Sequence, residues 1–150
     1  MAWEIVRKRL NAIRPYWRNP RRNLGAIKVV KESVTRYGYN VLITVDTQNV
    51  IVTGHARYMA LRELGWTEAD VLVLDIPLEK AKEFRIADNK THEFASWDLE
   101  LLKDEIEEID PAILAPFFRE GTIEALYEQA IPDPDSDVGI ADEVPVEGHP

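Results

Sequence analysis

The chain has 150 residues, 45% of them hydrophobic, a net charge of −9 and no cysteine. That length suits one domain with a core of its own rather than two ordinary ones. No apolar run of about 18 residues encodes a membrane span, the first residues lack the apolar core of a secretory signal, and the missing cysteines exclude disulfides, thiolate metal sites and cysteine nucleophiles. A cytoplasmic protein is the expectation.

The net charge hides an asymmetry. Residues 1–40 carry ten Lys/Arg against Glu4 and Glu32, a net of +8, while the remaining 110 residues carry 8 basic and 25 acidic groups, a net of −17. A basic first quarter suits phosphates, and an acidic remainder repels a long polyanion such as duplex DNA. Internal pairing of the two halves is the plain alternative.

In chain order, Glu4 to Arg9 reads as a short strand. The run Ile13 to Arg21, with Pro15, Tyr16, Trp17 and Pro20, reads as an ordered extended segment. Ala26, Val29, Val30 and Val34 recur at helical spacing and predict a helix from Leu24 to Tyr37, stopped by Gly38. Val41–Val45 and Val50–Val52 are β-branched runs either side of Asp46-Thr47-Gln48-Asn49, the pattern of a hairpin. Gly54 ends the second strand, and His55 to Leu64 comes next as a helix closed by Gly65. Val71–Leu74 is a strand and Leu78–Ile86 a helix, which Asp88-Asn89-Lys90-Thr91 is expected to break or reshape. Asp98 is a natural N-cap for an acidic helix to about Ile109. Pro111–Phe118 and Thr122–Gln129 read as shorter helices. The acidic, proline-rich stretch 131–150 has little to bury and is expected to be a disordered tail or linker. Trp3, Trp17, Trp66 and Trp97 are too scattered for a base-stacking platform and are expected to pack in the core or at its edge.

The segment most able to carry chemistry is Thr53-Gly54-His55-Ala56-Arg57. A strand that passes through glycine straight into a helix exposes unpaired backbone N–H groups. The helix dipole adds partial positive charge there, and Gly54 admits an anion close to the main chain. Arg57 offers a bidentate guanidinium to a phosphate, and His55 a further donor. Asn19 and Arg21 are candidates to fold back toward Arg57. Many such turns bind nothing, so spacing alone leaves an empty turn open. A zinc site built on His55 and His92 would need carboxylates that the spacing does not place.

The motifs occur in a telling order: Arg14-Pro15-Tyr16 and Asn19-Pro20-Arg21, then Tyr37-Gly38-Tyr39, then Gly54-His55-Ala56-Arg57-Tyr58-Met59-Ala60, then Arg85-Ile86-Ala87-Asp88-Asn89-Lys90. Over roughly residues 4 to 110 this resembles the ParB-like N-terminal domain, also called the ParB-like nuclease domain, of the ParB/sulfiredoxin superfamily. The resemblance implies an α/β (α+β) fold: a small mixed sheet with flanking helices over 1–110, a helical extension over 111–130 and the tail over 131–150. In chromosome-partition relatives the motif Gly-Glu-Arg-Arg-x-Arg-Ala holds the triphosphate of CTP. Here Gly54, Arg57 and Ala60 match it, while the glutamate and two arginines do not.

The resemblance therefore implies a nucleotide or phosphate ligand of CTP or ATP type, with slow hydrolysis as an open extension. Thr53, Gly54, His55, Ala56, Arg57, Asn89, Asn19 and Arg21 would form the binding set. Asp88 would supply the carboxylate for Mg²⁺ accompanying a nucleoside triphosphate, and is the candidate for any catalytic role. An Asx turn is its structural alternative. Sulfiredoxin chemistry is excluded, since it needs a cysteine. Domains of this type with Gly-His-x-Arg and Asp-Asn-Lys also precede DNA methyltransferases in phage and prophage proteins, joined by an acidic linker such as 131–150 resembles. That implies a second reading, a non-catalytic specificity or assembly module, and a nuclease is a third. DNA contact is expected at most indirectly or through a fused or partner domain, because Asp98 to Gln129 is strongly acidic. A homodimer is an open possibility.

Overall fold

The computed structural model describes residues 2–19 and 24–127. Arg21 and the acidic stretch 131–150 lie outside them, so the expectations placed there go no further. By packing, the chain divides into two units, Met1–His92 and Glu93–Pro150. The division falls ahead of the acidic helix rather than near residue 110, because that helix packs with the short helices C-terminal to it.

The first unit contains β1 (Trp3–Arg9), α1 (Leu24–Tyr37), β2 (Ile43–Val45), β3 (Ile51–Thr53), α2 (His55–Glu63), β4 (Glu68–Leu74) and α3 (Leu78–His92). The strands form one four-stranded mixed sheet in the order β1-β4-β2-β3. β1 pairs antiparallel with β4, β4 parallel with β2, and β2 antiparallel with β3. The expected hairpin is the β2–β3 pair. Its turn is held by Asp46, whose Oδ1 accepts from the N–H groups of Gln48 at 2.8 Å and Val50 at 3.0 Å, while Asn49 takes the left-handed conformation at φ 65°.

The core lies on one face of the sheet. Ile43, Val45, Ile51, Ala69 and Val71 from the strands meet Val34 of α1 and Tyr58 and Leu61 of α2, with Leu10 and Ile13 closing one end. Tyr58 ties that end down, its hydroxyl lying 3.3 Å from the carbonyl of Leu10 and 3.4 Å from that of Ile13. α3 lies against β3.

The sequence ended α3 at Ile86, whereas the helix runs on to His92. Asn89 and Thr91 do not break it because their side chains bond backward along it: Asn89 Nδ2 donates to the Arg85 carbonyl at 2.8 Å, and Thr91 Oγ1 to that of Asp88 at 2.8 Å. Such local bonding satisfies the polar side chain without interrupting the helical ladder.

The second unit contains α4 (Leu99–Glu107), α5 (Pro111–Leu114) and α6 (Thr122–Tyr127). Asp98 caps α4, accepting from Leu101 N–H at 3.1 Å. Ile106, Ile123 and Leu126 form its core, with Leu99, Leu102, Leu114 and Phe118 packed around them. Among the described residues no helix is long and apolar enough to cross a membrane. The tryptophans depart from expectation: Trp17 is 84% exposed and Trp3 64%, whereas Trp66 meets Tyr39 edge to face at 5.7 Å and Trp97 meets Phe118 at 6.4 Å.

Candidate functional site

Gly54 turns the chain from β3 into α2 at φ 100°, ψ 27°. A side chain there would be strained, and a Cβ would come within 3.2 Å of Ile43 Cα. Only glycine lets the helix start flush against the sheet. The first hydrogen bond of α2 runs from Tyr58 N–H to the Gly54 carbonyl at 2.9 Å. The amides of His55, Ala56 and Arg57 precede it and have no intrahelical acceptor. Gly54, as the N-cap residue, has no side chain with which to cap this end.

The first turn of α2 lines a cavity of about 370 Å³ within the first unit. The structure brings Thr53, Gly54, His55, Ala56, Arg57, Asp88, Asn89 and Asn19 together around it, so every described candidate residue reaches one place. His92 joins them from the end of α3, and Ala26, Val30, Val41 and Leu42 supply an apolar wall. Asn19 is positioned by a tight turn in which its N–H donates to the Tyr16 carbonyl at 3.1 Å.

Arg57 is half-buried and makes no hydrogen bond or ion pair with any described residue. Burial lowers its pKa from the ordinary value, an effect that the charge interaction with Tyr39 partly offsets. A guanidinium has too high a proton affinity for such a shift to neutralise it. A partly desolvated cation, in no ion pair with a described residue, is therefore held at the cavity wall.

Arg85 is a second cation lining the cavity, and reading the sequence alone did not single it out as a site residue. It is 5% exposed. Its Nε and Nη2 both donate to the Ile51 carbonyl, at 3.1 and 3.0 Å, and its guanidinium lies 3.7 Å from the centre of the Tyr16 ring. Burial lowers its pKa, and interactions with Tyr16 and Asp46 oppose that. It forms no ion pair with a described residue. The signal for it was present in the helical stripe Ala81, Arg85, Asp88/Asn89, His92. Ending the helix at Ile86 hid that stripe, because it separated Arg85 from the residues one and two turns on.

His55 plays a different part from the one expected. Its Nε2 accepts a hydrogen bond from Tyr16 N–H at 3.1 Å, so the imidazole donates to a ligand only through Nδ1. Burial first, and the charge of Arg85 second, lower its pKa from 6.5 to about 4. It is neutral at neutral pH, with the proton on Nδ1. Tyr16 thus touches the site twice, by its amide on His55 and by its ring under Arg85.

The cavity also receives one carboxylate, Asp88. Among the described residues no three His, Asp or Glu side chains are grouped to hold a metal ion. A lone carboxylate facing two cations and a helix N-terminus fits Mg²⁺, which takes one or two protein carboxylates and completes its shell with phosphate oxygens and water. It does not fit a zinc site.

No family model and no curated protein matches the chain. Solved structures do. The C-terminally truncated chromosome-partitioning protein ParB from Caulobacter crescentus, complexed with CTP-γ-S, superposes with a TM-score of 0.61 at 15% identity, over 85% of this chain and 86% of that one. This is a ParB-like fold. A pNOB8-like ParB N-domain gives 0.51 at 14% identity over 86% of this chain and 47% of that one, and its C2221 crystal form gives 0.51 over 68% and 42%. At these identities the ParB-like fold is what is shared. The side chains around the cavity are this chain's own.

Proposed function

We propose that this domain binds the phosphate groups of a nucleotide in the cavity at the start of α2. One observation carries the reading: Arg57 and Arg85, two guanidiniums in no ion pair with a described residue, line one cavity together with the first turn of α2, whose amides at His55, Ala56 and Arg57 have no intrahelical acceptor. Holding two guanidiniums partly out of water with no ion-pair partner is costly, and a bound anion would offset that cost. The apolar wall of Ala26, Val30, Val41 and Leu42 leaves room for an uncharged part of the ligand beside the phosphates. The CTP-γ-S held by the Caulobacter protein supports a nucleoside triphosphate as the class, and the base is left to experiment.

Asp88 would hold Mg²⁺, which neutralises and orients phosphate oxygens when bound. Without a cation its carboxylate opposes the anion that the arginines attract. With Nε2 occupied by Tyr16, His55 is not placed to take a proton from water through that nitrogen. The reading is accordingly of a binding site, on which a ligand-dependent switch can rest.

Calorimetry with CTP, ATP, GTP and inorganic triphosphate, each with and without Mg²⁺, tests it. Arg57→Ala should weaken binding about 10- to 100-fold, the range for a charge-assisted contact of 1.5–3 kcal/mol. Absence of binding by the folded wild-type protein at roughly millimolar ligand, where an affinity is worth only about 4 kcal/mol, would reject it. The methyltransferase-module and nuclease readings draw no support from the described residues: the linker segment lies outside them, and no clustered carboxylates of a two-metal nuclease occur among them.

A further inference from the structure

The two edges of the sheet are finished differently. At the β3 edge, Arg14 bridges Val50 in parallel. Its N–H donates to the Asn49 carbonyl at 2.8 Å and its carbonyl accepts from Ile51 N–H at 2.9 Å. The Ile51 carbonyl is in turn taken by Arg85. The β1 edge has no such cover among the described residues.

The β1–β4 register shows which backbone groups face outward. Trp3 opposes Leu74, and the pairing runs without a shift to Arg9 opposite Glu68. Continuing that register, Asp75 N–H donates to the Ala2 carbonyl at 2.9 Å and Leu10 N–H to the Thr67 carbonyl at 2.9 Å. Hydrogen-bonded and non-bonded pairs alternate in an antiparallel ladder. Ala2, Glu4, Val6, Lys8 and Leu10 therefore bond to β4, and Trp3, Ile5, Arg7 and Arg9 turn their N–H and C=O groups to the open edge.

The side chains on that edge are also unfinished. Trp3 is 64% and Ile5 57% exposed, next to Leu74 and Leu72 on the same sheet face. Glu4, Lys8 and Arg9 form no ion pair with a described residue, whereas Arg7 is already matched by Asp70 at 2.8 Å and Glu68 at 3.3 Å.

From this geometry we propose that β1 is a self-complementary docking edge for a second copy of this chain. Charge order fixes the register. Two β1 strands running antiparallel about a two-fold axis through Val6 place Glu4 beside Lys8 of the second copy, and Lys8 beside its Glu4. Trp3 faces Arg9 of the other strand, cation over ring, and Ile5 faces the methylene stem of its Arg7. Both strands present their outward backbone groups at these positions, so the ladder closes with every residue on its correct face. A parallel arrangement would stack Arg7, Lys8 and Arg9 on their own copies and repel. The basic run, commonly a guard against edge-to-edge association, here selects one orientation. Such pairing joins the two four-stranded sheets into one with β1–β1 at its centre, independently of the anion cavity.

Sedimentation equilibrium from about 10 µM to 1 mM, the range expected for a small interface, tests the proposal. The wild type should show a reversible monomer–dimer equilibrium. Glu4→Lys should raise its dissociation constant roughly tenfold, since two cross-strand pairs turn from attractive to repulsive. Ile5→Pro should do at least as much while leaving the fold intact, because the lost N–H points outward rather than to β4; circular dichroism melting verifies this. The double variant Glu4→Lys/Lys8→Glu should restore association. A wild type that stays monomeric to about 1 mM, a dimer indifferent to these substitutions, or a charge swap that fails to restore it would each overturn the proposal.

Discussion

At the scale of single residues, the site works through groups that the fold leaves incomplete. His55 gives this a sign that can be measured. Its pKa is about 4 in the folded state against an ordinary 6.5, so the unfolded chain takes up a proton that the folded chain refuses. Stability from this residue is fully present above pH 6.5, falls as pH drops from 6.5 toward 4, and levels off below. The loss amounts to about 2–3 kcal/mol, trimmed from the full shift for remaining solvent access. Urea unfolding at pH 7 and pH 4.5 should show that fall in the wild type and a smaller one in His55→Gln, whose amide oxygen can still accept from Tyr16. Equal falls in both would place the pH dependence elsewhere. Arg85 makes a different point. It is buried with one carbonyl and one ring as partners, so Arg85→Met exchanges a desolvated charge for an unsatisfied Ile51 carbonyl. These opposing costs should leave stability within about 1–2 kcal/mol of the wild type, while triphosphate binding falls at least tenfold by calorimetry. Asp88 completes the set: Asp88→Asn should remove the gain in triphosphate affinity that Mg²⁺ confers yet leave metal-free binding unchanged or slightly tighter.

At the scale of elements, the strand-to-helix turn is the piece on which the cavity depends. Gly54→Ala forces a Cβ into the left-handed region and to 3.2 Å from the Ile43 backbone. The conformational part alone is worth about 1–2 kcal/mol, so denaturant titration should show a loss of at least that size. Ligand affinity should fall with it, because the amides of His55 and Ala56 are displaced as the turn relaxes. This turn was legible in the sequence, as were α1 and the β2–β3 hairpin, since β-branched runs, polar turns and stopping glycines are local signals. What local signals cannot carry is the partner across space. The β1–β4 pairing joins residues that are distant in the chain, and nothing in Trp3-Glu4-Ile5 alone announces Leu74 and Leu72. α3 was misjudged for a local reason, as Asp88, Asn89 and Thr91 have turn-forming side chains, and those of Asn89 and Thr91 here bond along the helix. The cost of that error was the second arginine. Arg85 becomes a site residue only once α3 reaches His92 and lies against β3.

At the scale of the whole chain, two separate apolar clusters carry very different amounts of burial. The first unit fastens its sheet with Ile43, Val45, Ile51, Leu61 and Val71, all essentially without solvent contact, together with Leu10 and Tyr58. Among the described residues of the second, Ile106, Ile123 and Leu126 form the buried cluster. Hydrophobic stabilisation scales with apolar area removed from water, and the described part of the second unit has few buried residues from which to draw it. Its α5 is a single short segment, and α4 leans on the Asp98 cap. Local opening free energies track such differences. Amide hydrogen exchange should therefore find β2, β4 and α2 protected to the global limit, and α4 and α6 exchanging through a cheaper opening. Leu126→Ala sharpens the contrast, because removing a fully buried leucine costs about 2–5 kcal/mol, comparable to all the stability a cluster of that size can supply. The substitution should abolish protection in α4 and α6 while β2 and β4 keep theirs and triphosphate affinity stays unchanged. Loss of protection in the sheet by the same amount would mean that the two clusters unfold as one cooperative block.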